Sequence, residues 1–275
     1  MSTPPPLRDV IEQYDLGAKK SLGQHFLLDL NITRKIARAA NVVADDNVLE
    51  IGPGPGGLTR ALLETGAQVT AIERDQRCIT ALADLTTYYP GQVNLVEGDA
   101  LTVNEKELLN NKAPVKIIAN LPYNISTELL IKWLKAGPSL WSAMALMFQK
   151  EVADRILAKP GSKTYGRLSV ISQALSSPTR AFDLPARAFT PPPKVDSSVV
   201  SFETADEPLE CVPALEKITQ AAFSQRRKML RSSLKPVFGV NLKNALDEIG
   251  VEETARAENV SVQAYIHLAK ITQST

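Results

Sequence analysis

Metal-binding and disulfide chemistry have little to work with in this sequence. Its 275 residues hold two cysteines and two histidines. Cys78 and Cys211 form neither a metal-ligand spacing nor a disulfide framework, a usage that suits a reducing cytoplasm, and no metal is expected. Long hydrophobic runs are missing too, since none approaches the ~18 residues of a membrane span. The opening residues, Pro4, Pro5 and Pro6 followed by Arg8, Asp9 and Glu12, lack the apolar stretch of a signal peptide, so a cytoplasmic protein is expected. Charge of one sign is also lacking. With a formal net charge of +1, a nucleic-acid partner has to be sought in local patches and not in the total. There is no internal repeat and no long low-complexity segment.

What is present is enough to build a core: 44% hydrophobic residues over a length that predicts one large domain or two. The chain is organised around Leu49-Glu50-Ile51-Gly52-Pro53-Gly54-Pro55-Gly56-Gly57-Leu58-Thr59. Asn47 to Ile51 reads as a strand, and Leu58 to Leu63 opens a helical pattern. Four glycines in six residues lie between them, letting the backbone turn sharply and approach a ligand. Strand, glycine turn and helix N-terminus together form a ligand cradle. Gly52, Gly54 and Gly57 fit the G-x-G-x-x-G dinucleotide spacing, so the cradle suits NAD. It equally suits S-adenosylmethionine, whose methionine carboxylate and amine would sit against the turn.

Further strands are predicted at Gln68 to Ile72, Val93 to Val96, Val115 to Ala119 and Ser142 to Gln149, alternating with helices at roughly 20 to 25 residues per unit. That rhythm predicts an α/β fold with a doubly wound, mostly parallel sheet, in which ligands collect at one edge of strand ends. Glu73 ends the second strand, 21 residues beyond Gly52, where an acid can accept both ribose hydroxyls of an adenosine-containing cofactor. Both candidate cofactors carry that ribose. Asp99, closing the third strand, could accept the exocyclic amine of an adenine ring.

The most specific stretch is Asn120-Leu121-Pro122-Tyr123-Asn124-Ile125, directly after the fourth strand. An adenine N6 is a poor nucleophile because its lone pair is delocalised into the ring. Two acceptors on its hydrogens, the Asn120 side-chain oxygen and the Leu121 carbonyl, would draw that pair out of conjugation. Pro122 stiffens the turn, and Tyr123 offers a face on which a base can stack, an interaction of ~1–3 kcal/mol in single-strand binders. Downstream, the proline-rich stretch Pro185 to Ser198 must be extended. It holds Phe189 either as a second aromatic that sandwiches the base against Tyr123 or as a core residue under a loop. Between Lys150 and Arg187, seven basic and three acidic residues could face phosphates or simply solvent. Val199 to Phe202 reads as a last strand, and the acidic linker Glu203 to Glu210 marks a domain boundary. Beyond Val212 every pattern is helical. There, Ser224 to Arg231 places Arg226, Arg227, Lys228 and Arg231 along a helix face that could follow a phosphate backbone.

These motifs together resemble the ribosomal RNA adenine dimethylase family. The resemblance rests on Leu22-Gly23-Gln24-His25-Phe26-Leu27, Glu50-Ile51-Gly52-Pro53-Gly54, Glu73, Gly98-Asp99-Ala100 and Asn120-Leu121-Pro122-Tyr123. It continues through Tyr165-Gly166-Arg167-Leu168-Ser169-Val170, Phe189-Thr190-Pro191-Pro192-Pro193-Lys194-Val195-Asp196-Ser197, Gln225-Arg226-Arg227-Lys228 and Arg256-Ala257-Glu258-Asn259. The resemblance implies a Rossmann-like methyltransferase that uses S-adenosylmethionine to dimethylate the N6 amines of two adjacent adenosines in small-subunit ribosomal RNA, within the small ribosomal subunit. It implies that His25 and Leu27 contact the cofactor, that Gly52 meets its methionine end, Glu73 its ribose and Asp99 its adenine. Asn120 would stand at the transfer point. The family commonly carries asparagine where this chain has His25; a backbone contact survives that change, whereas a side-chain contact need not.

The expected organisation is a flexible arm at 1–18, a methyltransferase domain at 19–205 and a helical, RNA-binding domain at 206–275, acting as a monomer. An NAD-dependent oxidoreductase would explain the glycine turn and Glu73 but not Asn120 to Tyr123. A large-subunit ribosomal RNA methyltransferase of the antibiotic-resistance type would share the motifs, but the helical C-terminal segment looks more like the small-subunit branch of the family. A non-catalytic ribosome-assembly factor would keep the fold, yet complete motifs argue against lost chemistry.

Overall fold

The computed structural model describes residues 3–18, 23–205, 207–225 and 227–273. Two compact units divide the chain: Met1–Ala153 with Thr179–Glu203, and Asp154–Pro178 with Thr204–Thr275. The first contains α1 (Leu7–Gln13), β1 (Phe26–Leu27), α2 (Leu30–Ala39), β2 (Asn47–Ile51), α3 (Gly57–Leu63), β3 (Gln68–Glu73), α4 (Gln76–Tyr88), β4 (Val93–Glu97), α5 (Glu105–Leu109), β5 (Val115–Ala119), α6 (Ser126–Ala136) and β6 (Trp141–Gln149). The first two divisions fall within α7 (Lys150–Ile156) and, after α8 (Arg167–Leu175), within β7 (Ser176–Leu184), and the third falls near the chain's return at Glu203. Strands β8 (Phe189–Thr190) and β9 (Ser197–Thr204) follow.

Seven strands form one sheet in the order β4-β3-β2-β5-β6-β9-β7. The five from β4 to β6 run parallel, and β9 returns antiparallel along β6, from Ala143↔Glu203 to Gln149↔Ser197. The central strands are apolar because helices cover both their faces: Leu49, Ile117, Ile118 and Ala119 are fully buried. From β2 the chain builds outward first to β3 and β4, then back to β5 and β6. The ends of β2 and β5 therefore flank the switch point where such sheets bind ligands.

The arm expected to be flexible is instead a packed helix. Leu7, Val10, Ile11 and Tyr14 form an apolar stripe at helical spacing, and Val10 and Leu16 pack against Cys78 and Ala81 of α4. Arg77 ties the end of this segment down by donating to the Asp15 carbonyl at 2.8 Å. Strand β7 was not legible in advance. It is a polar edge strand of alternating burial, and its Pro178 is tolerated because an edge strand lacks one ladder partner.

The second unit is helical, with α9 (Val212–Phe223), α10 (Leu230–Ser233), α11 (Lys235–Phe238), α12 (Leu242–Glu248) and α13 (Val262–Gln273). It draws in Asp154–Pro178 as well as the C-terminal segment, so it is larger than the expected 206–275. Its interior holds Tyr165 and Tyr265, both fully buried, with Phe223 packed against each ring. Their hydroxyls donate to the Val260 and Ala257 carbonyls, which satisfies the only polar atom each ring carries inward.

Candidate active site

A cavity opens at the carboxyl ends of β2, β3, β4 and β5. It is lined by residues 23–27, the glycine turn, residues 72–74, 98–101 and 120–125. His25, Leu27, Gly52, Glu73, Asp99, Asn120, Leu121 and Tyr123 all stand on its wall. Five separate sequence motifs thus converge on one space.

The glycine turn comes close to the chain beside it. A Cβ at Gly57 would lie 2.6 Å from the Leu27 carbonyl oxygen, so no other residue fits there. Gly52, Gly54 and Gly56 have φ of +66°, +56° and +89°. Opposite the turn, the Glu73 carboxylate is nearly buried and already committed. Its Oε2 accepts from the Gly54 amide at 3.0 Å, and its Oε1 from the Arg74 and Asp75 amides at 2.7 and 2.8 Å.

Glu50 was not among the residues expected from the sequence to build the site. It lies in β2 with 1% of its surface exposed, lines the cavity, and neither carboxylate oxygen makes a hydrogen bond among the described residues. Burial pushes its carboxyl up to about 8; the Thr59 hydroxyl and amide, near but outside hydrogen-bonding geometry, offset part of this, and the negative charge of Glu73 adds to it. A buried acid without partners is costly unless a cation meets it. The signal available beforehand was an acid inside an otherwise apolar strand, immediately before the glycine turn.

On the β4 side, Asp99 caps the turn that follows it. Its Oδ1 accepts from the Leu101 amide at 3.0 Å, and its Oδ2 pairs with Arg74 at 3.3 Å. On the β5 side, Asn120 Nδ2 donates to the His25 carbonyl at 3.0 Å, which leaves Oδ1 as an acceptor for a donor in the cavity. His25 does more than lend a carbonyl. Its ring stacks on Tyr123 with centroids 5.8 Å apart, and its Nδ1 donates to the Pro191 carbonyl at 2.7 Å. Tyr123 is fixed at its other end by a 2.6 Å hydrogen bond to Ser197 Oγ, and burial raises its phenol pKa.

Phe189 is not the second face of a base sandwich in this structure. It is 3% exposed and belongs to the apolar core, because β8 pairs antiparallel with β1 and sets Phe189 opposite Leu27. The ring beside Tyr123 is His25 instead. The basic residues are also arranged differently from expectation. Helix α9 ends at Phe223, where Ser224 Oγ turns back to the Ala221 carbonyl, and Lys228 closes a turn on Gln225. Arg227 and Lys228 are therefore exposed on a turn, and Arg231 in the short α10, not along one helix face. Arg226 lies outside the described residues, as do Lys19, Lys20 and Leu22. Among the described residues no cluster of three or more His, Cys, Asp or Glu could hold a metal, and no helix is long and apolar enough to cross a membrane.

The comparisons with known proteins bear on the chain's family and fold. The family model described as ribosomal RNA adenine dimethylase matches residues 16–274. The chain is 55% identical to a ribosomal RNA small subunit methyltransferase A from Xanthobacter autotrophicus, over 96% of this chain and 93% of that one. It is 54% identical to the protein of that name from Brucella anthropi, over 96% and 95%. Among solved structures, a dimethyladenosine transferase from Plasmodium falciparum superposes with a TM-score of 0.75 at 28% identity, covering 89% of this chain and 96% of its own. The 23S rRNA methyltransferase ErmE gives 0.70 at 26% identity, covering 90% and 99%. With its sheet, its strand-end cavity and nearly its whole length accounted for, the chain belongs to the ribosomal RNA adenine dimethylase family.

Proposed function

We propose that this protein transfers methyl groups from S-adenosylmethionine to the N6 amines of two adjacent adenosines in small-subunit ribosomal RNA. The observation that carries the reading is Asn120. Its amide nitrogen is anchored on the His25 carbonyl, so its oxygen is held ready for an amine entering the cavity. Relatives at 54–55% identity are named for the small subunit, which favours that RNA over the large-subunit RNA in the name of ErmE.

The residues present fit the cofactor. When bound, it supplies an electrophilic methyl group on a cationic sulfur. Its ammonium group is the kind of cation that the unpaired Glu50 carboxylate calls for. Glu73 retains lone pairs beyond those taken by its three amides, and they suit ribose hydroxyls. Asp99 offers an acceptor to an adenine amine, and the glycine turn leaves room for a close backbone approach.

The target adenine must leave its stack to enter, as in other enzymes that modify a base. Tyr123 receives it by stacking, with its ring held by His25 and Ser197. Asn120 Oδ1 and the Leu121 carbonyl accept from the amine hydrogens and free the N6 lone pair for in-line attack. As N6 becomes positive its hydrogens grow more acidic, so these acceptors bind the transition state more tightly than the ground state. No strong base is needed before transfer; the proton leaves afterwards. Arg227, Lys228 and Arg231 contact RNA phosphates in this reading. Replacing the first two by alanine is expected to shallow the log–log salt slope of subunit binding by ~0.7–0.9 for each lost contact. An unchanged slope assigns them to solvent.

The deciding experiment incubates the protein with labelled S-adenosylmethionine and separated, undermethylated ribosomal subunits, then locates methyl groups in the RNA by mass spectrometry. Two adjacent dimethyladenosines in the small-subunit RNA are expected. Methylation confined to large-subunit RNA, or none in either, would overturn the reading.

A further inference from the structure

Lys132 in α6 takes no part in the chemistry above, yet its ammonium is fully engaged. Nζ donates to the Ala100 carbonyl at 2.9 Å and the Val103 carbonyl at 2.7 Å, and pairs with Glu105 Oε1 at 2.9 Å. An ammonium has three donors, and two of these close on a single turn. That turn carries Asp99. Its amide side is held from within, by Asp99 Oδ1 on the Leu101 amide and by the Asp99 carbonyl on the amides of Thr102 and Val103. A Cβ at Gly98 would meet Val103 Cγ2 at 2.9 Å, so the turn is also tightly folded on itself. Lys132 completes it from the carbonyl side.

The lysine is itself well anchored. Glu105 is 4% exposed and also accepts from Trp133 Nε1 at 2.9 Å, and Trp133, Leu129 and Leu130 bury α6 in the core. At its other end, α6 begins at Ser126, whose Oγ donates to the Tyr123 carbonyl. One rigid helix therefore joins the wall that holds Asn120 and Tyr123 to the turn that holds Asp99.

We propose that Lys132 is a positioning residue, a strut that fixes the Asp99 turn against the Asn120 wall and so sets the distance between the cofactor's adenine end and the methyl-accepting amine. This rests on the reading of Asp99 as the acceptor for the cofactor's adenine. Packing alone does not require a charge here, since an aliphatic stem of equal length would fill the same space.

The test is a double-mutant cycle read by calorimetry with S-adenosylhomocysteine, the stable demethylated form of the cofactor. Lys132→Met keeps the stem and removes the donors; it is expected to weaken binding by roughly tenfold. Asp99→Asn keeps the contact to Leu101 but sets an amide donor against the adenine amine, and also weakens binding. If Lys132 acts through Asp99, the double variant binds scarcely worse than the weaker single, whereas Lys132→Met combined with Glu73→Gln shows multiplied losses. A purely structural role would lower thermal stability and multiply with both. Multiplied losses with Asp99→Asn, or a Lys132→Met affinity within twofold of the parent, overturn the strut while leaving the Asp99 assignment intact. A harmless Asp99→Asn overturns both. Should Lys132→Met not fold, Lys132→Gln, which retains an amide donor, carries the same cycle.

Discussion

Two walls of the same cavity hold similar side chains in opposite states. On the β3 and β4 side, Glu73 accepts from three backbone amides and Asp99 from one, with Arg74 beside it. On the β2 and β5 side, Glu50 accepts from nothing among the described residues, and Asn120 uses its amide N–H on His25 with its oxygen unassigned. The first wall is a finished scaffold whose polar groups are fixed before any ligand arrives. The second keeps acceptors open, which destabilises the empty protein and leaves free energy to be recovered when a cation or an amine enters. Recognition and chemistry divide along that line. In the proposed reading, shape and ribose contacts fall to the committed wall, charge and transfer to the open one.

The sharpest way to break this division is Asn120→Ala. It removes the open acceptor at the proposed transfer point and is expected to raise the barrier by ~2.7–4 kcal/mol, two to three orders in rate. Affinity for S-adenosylhomocysteine should stay close to the parent's. Single-turnover transfer on undermethylated small subunits, with cofactor binding measured separately, checks this. Transfer near the parent rate would refute the assignment. Tyr123→Ala should behave differently, because a lost stacking face weakens capture of the base as well as its orientation.

A smaller effect is expected on the committed wall. Glu73→Gln loses the charged acceptor proposed for the ribose and replaces one oxygen by an amide that faces backbone N–H groups. Hydrogen bonds to charged groups contribute ~1.5–3 kcal/mol, so cofactor affinity should fall by roughly ten- to a hundredfold. The rate from the fully loaded enzyme should change little. A variant that binds normally but turns over slowly would show that the two walls do not divide the work.

Most of the scaffold could be read from residue order, because it is written in local patterns. Apolar runs gave β2 to β6, glycines gave the turn, and acids at strand ends gave Glu73 and Asp99. What escaped depends on distant pairing or on missing partners. Phe189 is core because β8 joins β1, and nothing in the proline-rich stretch indicates that register. His25 stacks on Tyr123 for the same reason, as the ribbon brings Pro191 to its Nδ1. The end of α9 turns on one hydroxyl, Ser224, whose return to Ala221 competes with helix continuation. Helix α1 was hidden by the prolines before it, although its stripe of Leu7, Val10, Ile11 and Tyr14 was visible. Glu50 was plain in the sequence, but the absence of a partner is a property only the folded chain has.

That absence leads to the most diagnostic effect, a pH dependence. With its carboxyl raised to about 8, Glu50 is protonated in the free protein at neutral pH, whereas a bound ammonium would hold it ionised. Cofactor binding should therefore release about one proton near pH 7, and affinity should rise with pH by up to tenfold per unit. The useful window is about pH 5.5 to about 7.5, where an α-amino group keeps its own proton. Stability of the free protein runs the other way. The folded chain binds this proton and the unfolded chain, with an ordinary carboxyl, releases it above about 4.5. More protons on the folded side mean that stability falls as pH rises from about 4.5 to about 8. Glu50→Gln removes both effects, so its cofactor affinity should be weaker but flat across the window, and its melting temperature should exceed the parent's most clearly near pH 8. Calorimetry of S-adenosylhomocysteine binding in buffers of different ionisation enthalpy counts the protons directly. A parent protein that releases none, with affinity level from pH 5.5 to 7.5, would mean that Glu50 is already ionised in the free chain. The open wall would then hold a charge partner before the cofactor arrives, and the contrast between the two walls would rest on Asn120 alone.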